Sequence, residues 1–526
     1  MGWMRNMKWL LGAALLAIAF QNCTPNRFTA NETTTPPSGM QAGDGQVFDG
    51  KLRILHHIVD GFTCEGRPAP ESILIRENET DWFLIRNTAA KCASVNHLAV
   101  QGVSYDEAAN QAIYNGDLYV PPRPYFVIAS ENPNLPDVRL EDGICEDVNG
   151  VCSLRASIEQ AGATSVTEPV IVNIPAGTFA LSSSMTLSSK FMNSKAVTIR
   201  GADPITTVLD GVNSVVPLTI AMWTSASVTI ENLTIQNGMG PGGFGSSAIF
   251  PVMQNPADSQ LDVVNCILKN NKGNAAIYGG VGSGNIRIRK TLFTGNQYSA
   301  IQVSGISSLL VEDSSVTSNG MIGIWVENAT SNVTIRRSTI SNNAHKGIQF
   351  TRCSSCRIEN TTITQNLLNG LEISATVPDP NLDVVINNST ITENGLSSGA
   401  NLSLGFYDSN NKVLLSNSIL SMKSGSKTNC QWLFPGNTHT IVATGNIFDD
   451  SSCEQSSATN IVADPMLGSL ANNGGATQTL LPLTGSPAID AGANAVCASE
   501  DQRGLPRPVD KLGSGPRCDI GAVELQ

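Results

Sequence analysis

From residue 228 to residue 420 one short pattern recurs, and it limits the folds open to this chain more than any other feature. Segments starting at Val228, Leu261, Ile286, Leu309, Val333, Cys356, Val384 and Val413 carry mostly aliphatic residues at offsets 0 and 2. Offset 4 is a polar corner: Asn232, Asn265, Lys290, Asp313, Arg337, Asn360, Asn388 and Asn417. At offset 7 an apolar residue returns (Ile235, Leu268, Phe293, Val316, Ile340, Ile363, Ile391, Leu420), spaced by 33, 25, 23, 24, 23, 28 and 29 residues. Offset 10 holds Asn271, Asn296, Asn319, Asn343, Asn366 and Asn394, and a third apolar run follows, as at 323–326, 347–350 and 370–373.

Short runs alternating with period two are strands with one buried face. Asn and Gly between them accept left-handed corners at low cost. A unit of three such strands cannot bury its own apolar face, but stacked units can, at about 4.8 Å per coil. Equivalent Asn side chains would then stack as a ladder. A β-sandwich is the competing fold, but its strands do not repeat as triplets at a fixed period. The chain is therefore read as all-β, a single-stranded right-handed parallel β-helix. The Asn-x-Ser/Thr spacings at Asn232, Asn360 and Asn388 are corner Asn followed by strand-forming residues, although they also fit a glycosylation acceptor.

A chain of 526 residues would ordinarily divide into several domains, but a solenoid absorbs that length in one body. With 41% apolar residues it can bury a large core. The net charge of −12 argues against nucleic acid or an anionic membrane surface as partner. Its five histidines (His56, His57, His97, His345, His439) are scattered, so no histidine-rich metal site is expected. Residues 1–22 read as an export signal, with Arg5 and Lys8 ahead of an apolar run from Trp9 to Phe20. Loss of those two bases takes the charge from −12 to −14.

Cysteine usage fits an oxidising compartment. Sequence proximity pairs Cys64 with Cys92, Cys145 with Cys152, Cys353 with Cys356, Cys430 with Cys453 and Cys497 with Cys518. Cys266 is left over inside a strand-like run and is read as a buried apolar filler. A metal reading of Cys353 and Cys356 lacks a second pair nearby. Residues 23–49 read as a flexible tether and 50–143 as a small β-rich module. The β-helix with an N-terminal capping helix occupies 144–445, and 446–526 form a C-terminal capping tail.

Three resemblances add to this reading. Cys23, directly after the apolar run, resembles a bacterial lipoprotein attachment cysteine, with cleavage after residues 17–19 as the alternative. Cys152-Ser-Leu-Arg-Ala-Ser-Ile158 resembles the C-S-L-R-E-A motif that opens many exported bacterial β-helix proteins, with Ala156 where that motif has Glu. Ser153 would cap a short helix whose Leu154, Ile158 and Ala161 face inward. Asp464-Pro465, Asn472-Asn-Gly-Gly475, Thr477-Gln-Thr479, Ser486-Pro-Ala-Ile-Asp490, Asp501-Gln-Arg-Gly504 and Cys518-Asp-Ile-Gly-Ala522 resemble, in order, the choice-of-anchor Q domain. The resemblance implies a surface or secreted β-helix protein and assigns no reaction. Asp490, Asp501, Arg503 and Asp519 read as cross-bracing of the tail rather than as a catalytic cluster.

Parallel β-helices also carry polysaccharide lyases and glycoside hydrolases, so chemistry has to be sought residue by residue. Elimination needs a base and a group that neutralises the substrate carboxylate. The coil-borne cluster with those groups is Arg336, Arg337, His345 and Lys346, with Glu312 and Asp313 one coil earlier. His345, Lys346, Arg337 and Asp313 are therefore the catalytic candidates, although stacking alone would make Asp313 and Arg337 an ion pair. The leading expectation is a non-catalytic structural, adhesive or surface-binding protein of the bacterial cell envelope, at the outer membrane or cell surface. Its partners would be the membrane, through a lipid anchor, and surface glycans or another cell. The alternative is a polysaccharide lyase or glycoside hydrolase on acidic glycans, for which calcium is the one cofactor left open. Mass spectrometry of the mature N-terminus tests the anchor: a diacylglyceryl Cys23 is expected, and a chain starting at Phe20 with a free thiol would exclude it.

Overall fold

The computed structural model describes residues 53–526 apart from short stretches, which include 58–62, 88–93, 138–144, 163–168, 189–195, 376–382, 407–411 and 423–426. The export signal, the tether, Cys23 and the Cys64–Cys92 pair rest on residues outside the described ones. Two compact units divide between residues 125 and 126. In the first, strands Arg53–His57, Ser72–Arg76, Trp82–Asn87 and Ser94–Val100 form an antiparallel sheet. Its core gathers Leu74, Trp82, Leu84 and Ala112.

The second unit is a parallel β-solenoid. Each coil gives one strand to each of three ladders. The first ladder runs from Val170–Ile174 through Ser227–Glu231, Asn285–Arg289 and Ser308–Glu312 to Thr440–Thr444. The second is a twelve-stranded sheet from Gly177–Ala180 to Ile461–Val462. The third runs from Met185–Ser188 to Cys430–Trp432. Ile324–Arg336 and Ile348–Glu359 pass from the third ladder into the first without a break.

The period-two runs bury what they were expected to bury. Leu309 pairs with Val333 and Val311 with Ile335, and all four are 0–1% exposed. The offset-7 residues from Ile235 to Leu420 line the inner face of the second ladder, each 0% exposed. Each such side chain contributes about 1.5–3 kcal/mol by leaving water. All eight offset-4 corners have a left-handed backbone, with φ from 44° to 57°. That conformation suits Asn, and Lys290, Asp313 and Arg337 adopt it against their intrinsic preference.

Offset 10 carries the tightest constraint. Nδ2 of Asn271 donates to Oδ1 of Asn296 at 2.9 Å, and the bond repeats to Asn319 (2.8 Å), Asn343 (2.9 Å), Asn366 (2.9 Å) and Asn394 (2.9 Å). The same oxygens accept the backbone N–H of the preceding Asn, as from Asn343 to Asn366 at 3.0 Å. Nδ2 donates again to a carbonyl of the coil before, as from Asn343 to Val316 at 3.1 Å. Space for this amide is made by glycine. A Cβ on Gly347 would lie 2.7 Å from Asn366 Nδ2 and 2.6 Å from the Gly370 oxygen.

A second ladder of hydroxyls stands at the other corner. Thr291 N–H donates to Ser314 Oγ at 3.1 Å, Ser314 N–H to Ser338 Oγ at 3.2 Å, and Ser389 N–H to Ser418 Oγ at 3.1 Å. Cys266 occupies this position, unpaired and buried in the core as expected, although it stands between the strands Gln260–Val264 and Ile267–Lys269 and not inside one. Its thiol lies 3.3 Å from the Val264 oxygen, as a hydroxyl would, and burial pushes its pKa up to about 12. Disulfides join Cys145 to Cys152, Cys353 to Cys356, Cys430 to Cys453 and Cys497 to Cys518.

The helix Leu154–Gly162 closes the first coil against Met185–Ser188 and Val170–Ile174. Ser153 Oγ accepts the Ala156 N–H at 3.0 Å, which makes Ser153 the N-cap. Leu154, Ile158 and Ala161 are 0% exposed. Arg155 is nearly as buried and ties the helix to the coil through the carbonyls of Asn134 (3.0 Å), Ser184 (3.0 Å) and Ser183 (2.7 Å).

Asn343→Ala and Asn366→Ala should each lower the unfolding free energy by about 1–3 kcal/mol, because the ladder loses a buried amide and strands its neighbours. Asn328→Gly, at an exposed left-handed corner outside the ladder, should move the midpoint little. Chemical denaturation of the three variants checks both statements.

Candidate functional site

The cluster read from the sequence is two clusters. Arg336 and Arg337 precede the strand Thr339–Ser341, and His345 and Lys346 follow it, so they stand at different corners of one coil. At the first corner Arg337 Nε lies 2.8 Å from Asp313 Oδ1, and the guanidinium also bonds Glu312 and Glu500. The hydrogen bond to Asp313 is the largest cause holding Arg337 further into its charged form. Farther along the same ladder, Arg287 pairs with Asp262 at 2.8 Å and Arg336 with Glu312 at 2.6 Å. Those arginines are more than a third exposed, so each pair contributes little.

Glu500 belongs to the tail, and the corner is where the tail docks. Asn360 Nδ2 donates to the Glu500 carbonyl at 2.8 Å, Asn388 Oδ1 accepts the Ala498 N–H at 3.0 Å, and Asn417 Oδ1 accepts the Ala493 N–H at 2.7 Å. The tail thus runs back along successive left-handed corners, reading them in reverse order. Gln502, 1% exposed, adds bonds to Thr362 Oγ1 at 2.6 Å and Thr339 Oγ1 at 2.9 Å.

Inside the tail the acids bind backbone. Asp501 accepts the N–H of Arg503 (2.8 Å), Leu505 (3.0 Å) and Glu524 (3.1 Å), and it pairs with the Arg503 side chain at 2.8 Å. Asp519 accepts the N–H of Asp490 (2.6 Å) and Leu525 (2.7 Å), and Asp490 that of Leu512 (2.6 Å). Glu524 accepts the N–H of Val509 (2.7 Å) and Asp519 (2.8 Å), beside a fully buried Arg507. Burial raises the carboxyl of Glu524 to about 7 and that of Asp519 in the same direction.

The second corner opens on the third ladder. Tyr278, Gln302, Trp325, Gln349, Glu372 and Ser403 align coil on coil. They alternate with the fully buried Ile277, Ile301, Ile324, Ile348, Leu371 and Leu402 and so point away from the core, the first four partly exposed and Glu372 and Ser403 buried. Lys346 Nζ donates to Glu372 Oε1 at 2.7 Å and to Gln349 Oε1 at 3.2 Å, and Asn369 Nδ2 donates to Glu372 Oε2 at 2.9 Å. His345 is half-buried, its pKa lowered by burial and then by Lys346, and its Nδ1 has no partner. Trp325 Nε1 and Ser403 Oγ are likewise buried without one.

Two clefts flank these corners. One of about 320 Å³ lies between the second ladder (Ser315, Thr317, Thr339, Ser341) and tail residues including Asn472 and Gln478, with no acid, base or thiol in its lining. The other, of about 400 Å³, holds Glu393 and Lys427, the latter bonded to the Gly395 oxygen. Among the described residues no three His, Cys, Asp or Glu side chains come together as metal ligands. Glu372, Asn369, Trp325 and Glu500 escaped the sequence reading. Glu372 and Trp325 left a signal, as the third residues of the runs 370–373 and 323–326.

Residues 218–378 and 257–461 match the family described as right handed beta helix region. No curated protein matches the chain. Among solved structures it is similar to the A-module of a mannuronan C-5 epimerase from Azotobacter vinelandii, at 16% identity and a TM-score of 0.37 over 62% of this chain and 98% of that one. A pectate lyase gives 14% identity and a TM-score of 0.35 over 76% and 96% of the two chains. A mannuronic acid specific family 6 polysaccharide lyase from human gut microbiota gives 13% and 0.31 over 59% and 89%. These scores are too low to carry chemistry across.

The raised carboxyls give stability a pH slope. Glu524 stays protonated in the folded tail up to about pH 7, whereas an unfolded glutamate ionises near 4.5. Its contribution is full below the lower value and is lost as pH rises to the upper one. Asp519 acts with the same sign. The melting temperature should therefore fall as pH rises across that window, and Glu524→Gln should flatten the slope in calorimetric scans.

Proposed function

We propose that this chain is a non-catalytic β-solenoid of the bacterial cell envelope, exported, held to the membrane through Cys23, and working as a structural or binding surface. One observation carries the reading. His345 apart, the candidate acids and bases on the coils are committed to each other or to the tail. Arg337 is held by Asp313, Glu312 and Glu500, and Lys346 by Glu372. A general base has to be free to take a proton in reach of a substrate. Of the four sequence candidates only His345 has a nitrogen without a hydrogen-bond partner, and that Nδ1 is buried, out of reach of a substrate. The remaining outer faces are rich in Ser, Thr and Asn, which suits many weak contacts along a repeating surface.

Incubation with pectate, alginate, chondroitin and peptidoglycan fragments, with and without calcium, should release no shorter products. The double variant His345→Ala with Lys346→Ala should leave envelope attachment and surface binding as they are. Reproducible cleavage that this variant abolishes would replace the reading with a polysaccharide lyase.

A further inference from the structure

The third ladder carries aromatic side chains in a column that otherwise holds amides, a hydroxyl and the Glu372 carboxylate. Aromatics are 5% of the sequence, yet Tyr278 and Trp325 stand in one outward column with Gln302 between them and Gln349 beyond. The core does not need them, because the inward positions beside them are filled by fully buried isoleucines. Both are partly exposed, in line with amides that can donate and accept at once. Tyr278 and Trp325 are two coils apart, about 9.6 Å, close to the repeat of a sugar pair in an extended chain. The charges along the face balance: Glu327 and Glu372 stand against Lys346 and, at the next corner, Arg352. Lys346 is already held by Glu372, and the whole chain carries −12, so nothing here attracts a polyanion.

We propose that this column binds an uncharged polysaccharide chain lying along the solenoid axis, with sugar rings on Tyr278 and Trp325 and hydroxyls on Gln302 and Gln349. The proposal rests on the reading of the chain as a binding surface and supplies its ligand class. A peptide is the poorer fit, since the column offers no deep apolar pocket and its coils are already paired on both sides.

The test is calorimetric titration of the full-length protein with uncharged β-1,4-linked hexamers of glucose, mannose, xylose and N-acetylglucosamine, and with hexamers of galacturonate and mannuronate. The same samples are chromatographed for products. At least one uncharged hexamer should bind, and the uronate hexamers about tenfold more weakly or not at all. Trp325→Ala should weaken binding about tenfold and Tyr278→Ala by a smaller factor, with melting temperatures unchanged. Arg287→Ala, on the first ladder, should bind like the parent protein. Absence of binding by every uncharged hexamer, preference for uronates, or parental affinity in both folded aromatic variants would overturn the proposal. Product formation with Trp325-dependent binding would leave the ligand class standing and remove the non-catalytic reading instead.

Discussion

Everything in the solenoid depends on one buried amide meeting the same amide one coil away. Asn343 lies 2.9 Å from Asn366, both are 0–1% exposed, and each satisfies backbone as well as side-chain partners. A parallel ladder by itself tolerates slippage by two residues, because its backbone bonds and its inward face both repeat at that interval. The amide does not, since a shifted coil would leave it unpaired in a dry interior at a cost of about 1–3 kcal/mol. The register is thereby fixed between each coil and the next. Residues far apart in sequence become neighbours in a predictable order.

The tail uses that order. Arg337, Asn360, Asn388 and Asn417 are equivalent residues of successive coils, and each bonds a different point of the segment 493–500. An Arg where most coils have Asn gains a purpose here. It reaches down to Asp313 and Glu312 and out to Glu500, so one side chain joins two coils and the tail. Charge that looks reactive in the sequence is absorbed by assembly. Buried carboxylates in the tail serve the same end, receiving backbone N–H groups that a segment poor in regular strands cannot pair otherwise.

The repeat was legible because its signals are local. Alternating Val, Leu and Ile, a left-handed Asn and a buried Asn each follow from the few residues around them, so the fold, both corners and the stacking of Asp313 beneath Arg337 could be read from spacing. Capping by Ser153 was legible for the same reason. The role of Arg155 was not, because its carbonyl partners include Ser183 and Ser184, and spacing gives no hint of where a loop will pass. The candidate cluster was misjudged by the same limit. Arg337 and His345 are close in sequence, but a strand lies between them and turns them to different corners. Lys346 finds its acid in the next coil, at Glu372, which a linear reading had no cause to pair with it.

Hydrogen–deuterium exchange followed by mass spectrometry tests the central claim most directly: the charged corner is structural because the tail is docked on it. Peptides covering 337–343 and 500–505 should be protected together, and to the depth of the Asn ladder. Rapid exchange of 500–505 while the ladder stays protected would contradict the account. It would mean that the tail lifts away and leaves Arg337, Asp313 and Glu312 open to solvent and to a substrate.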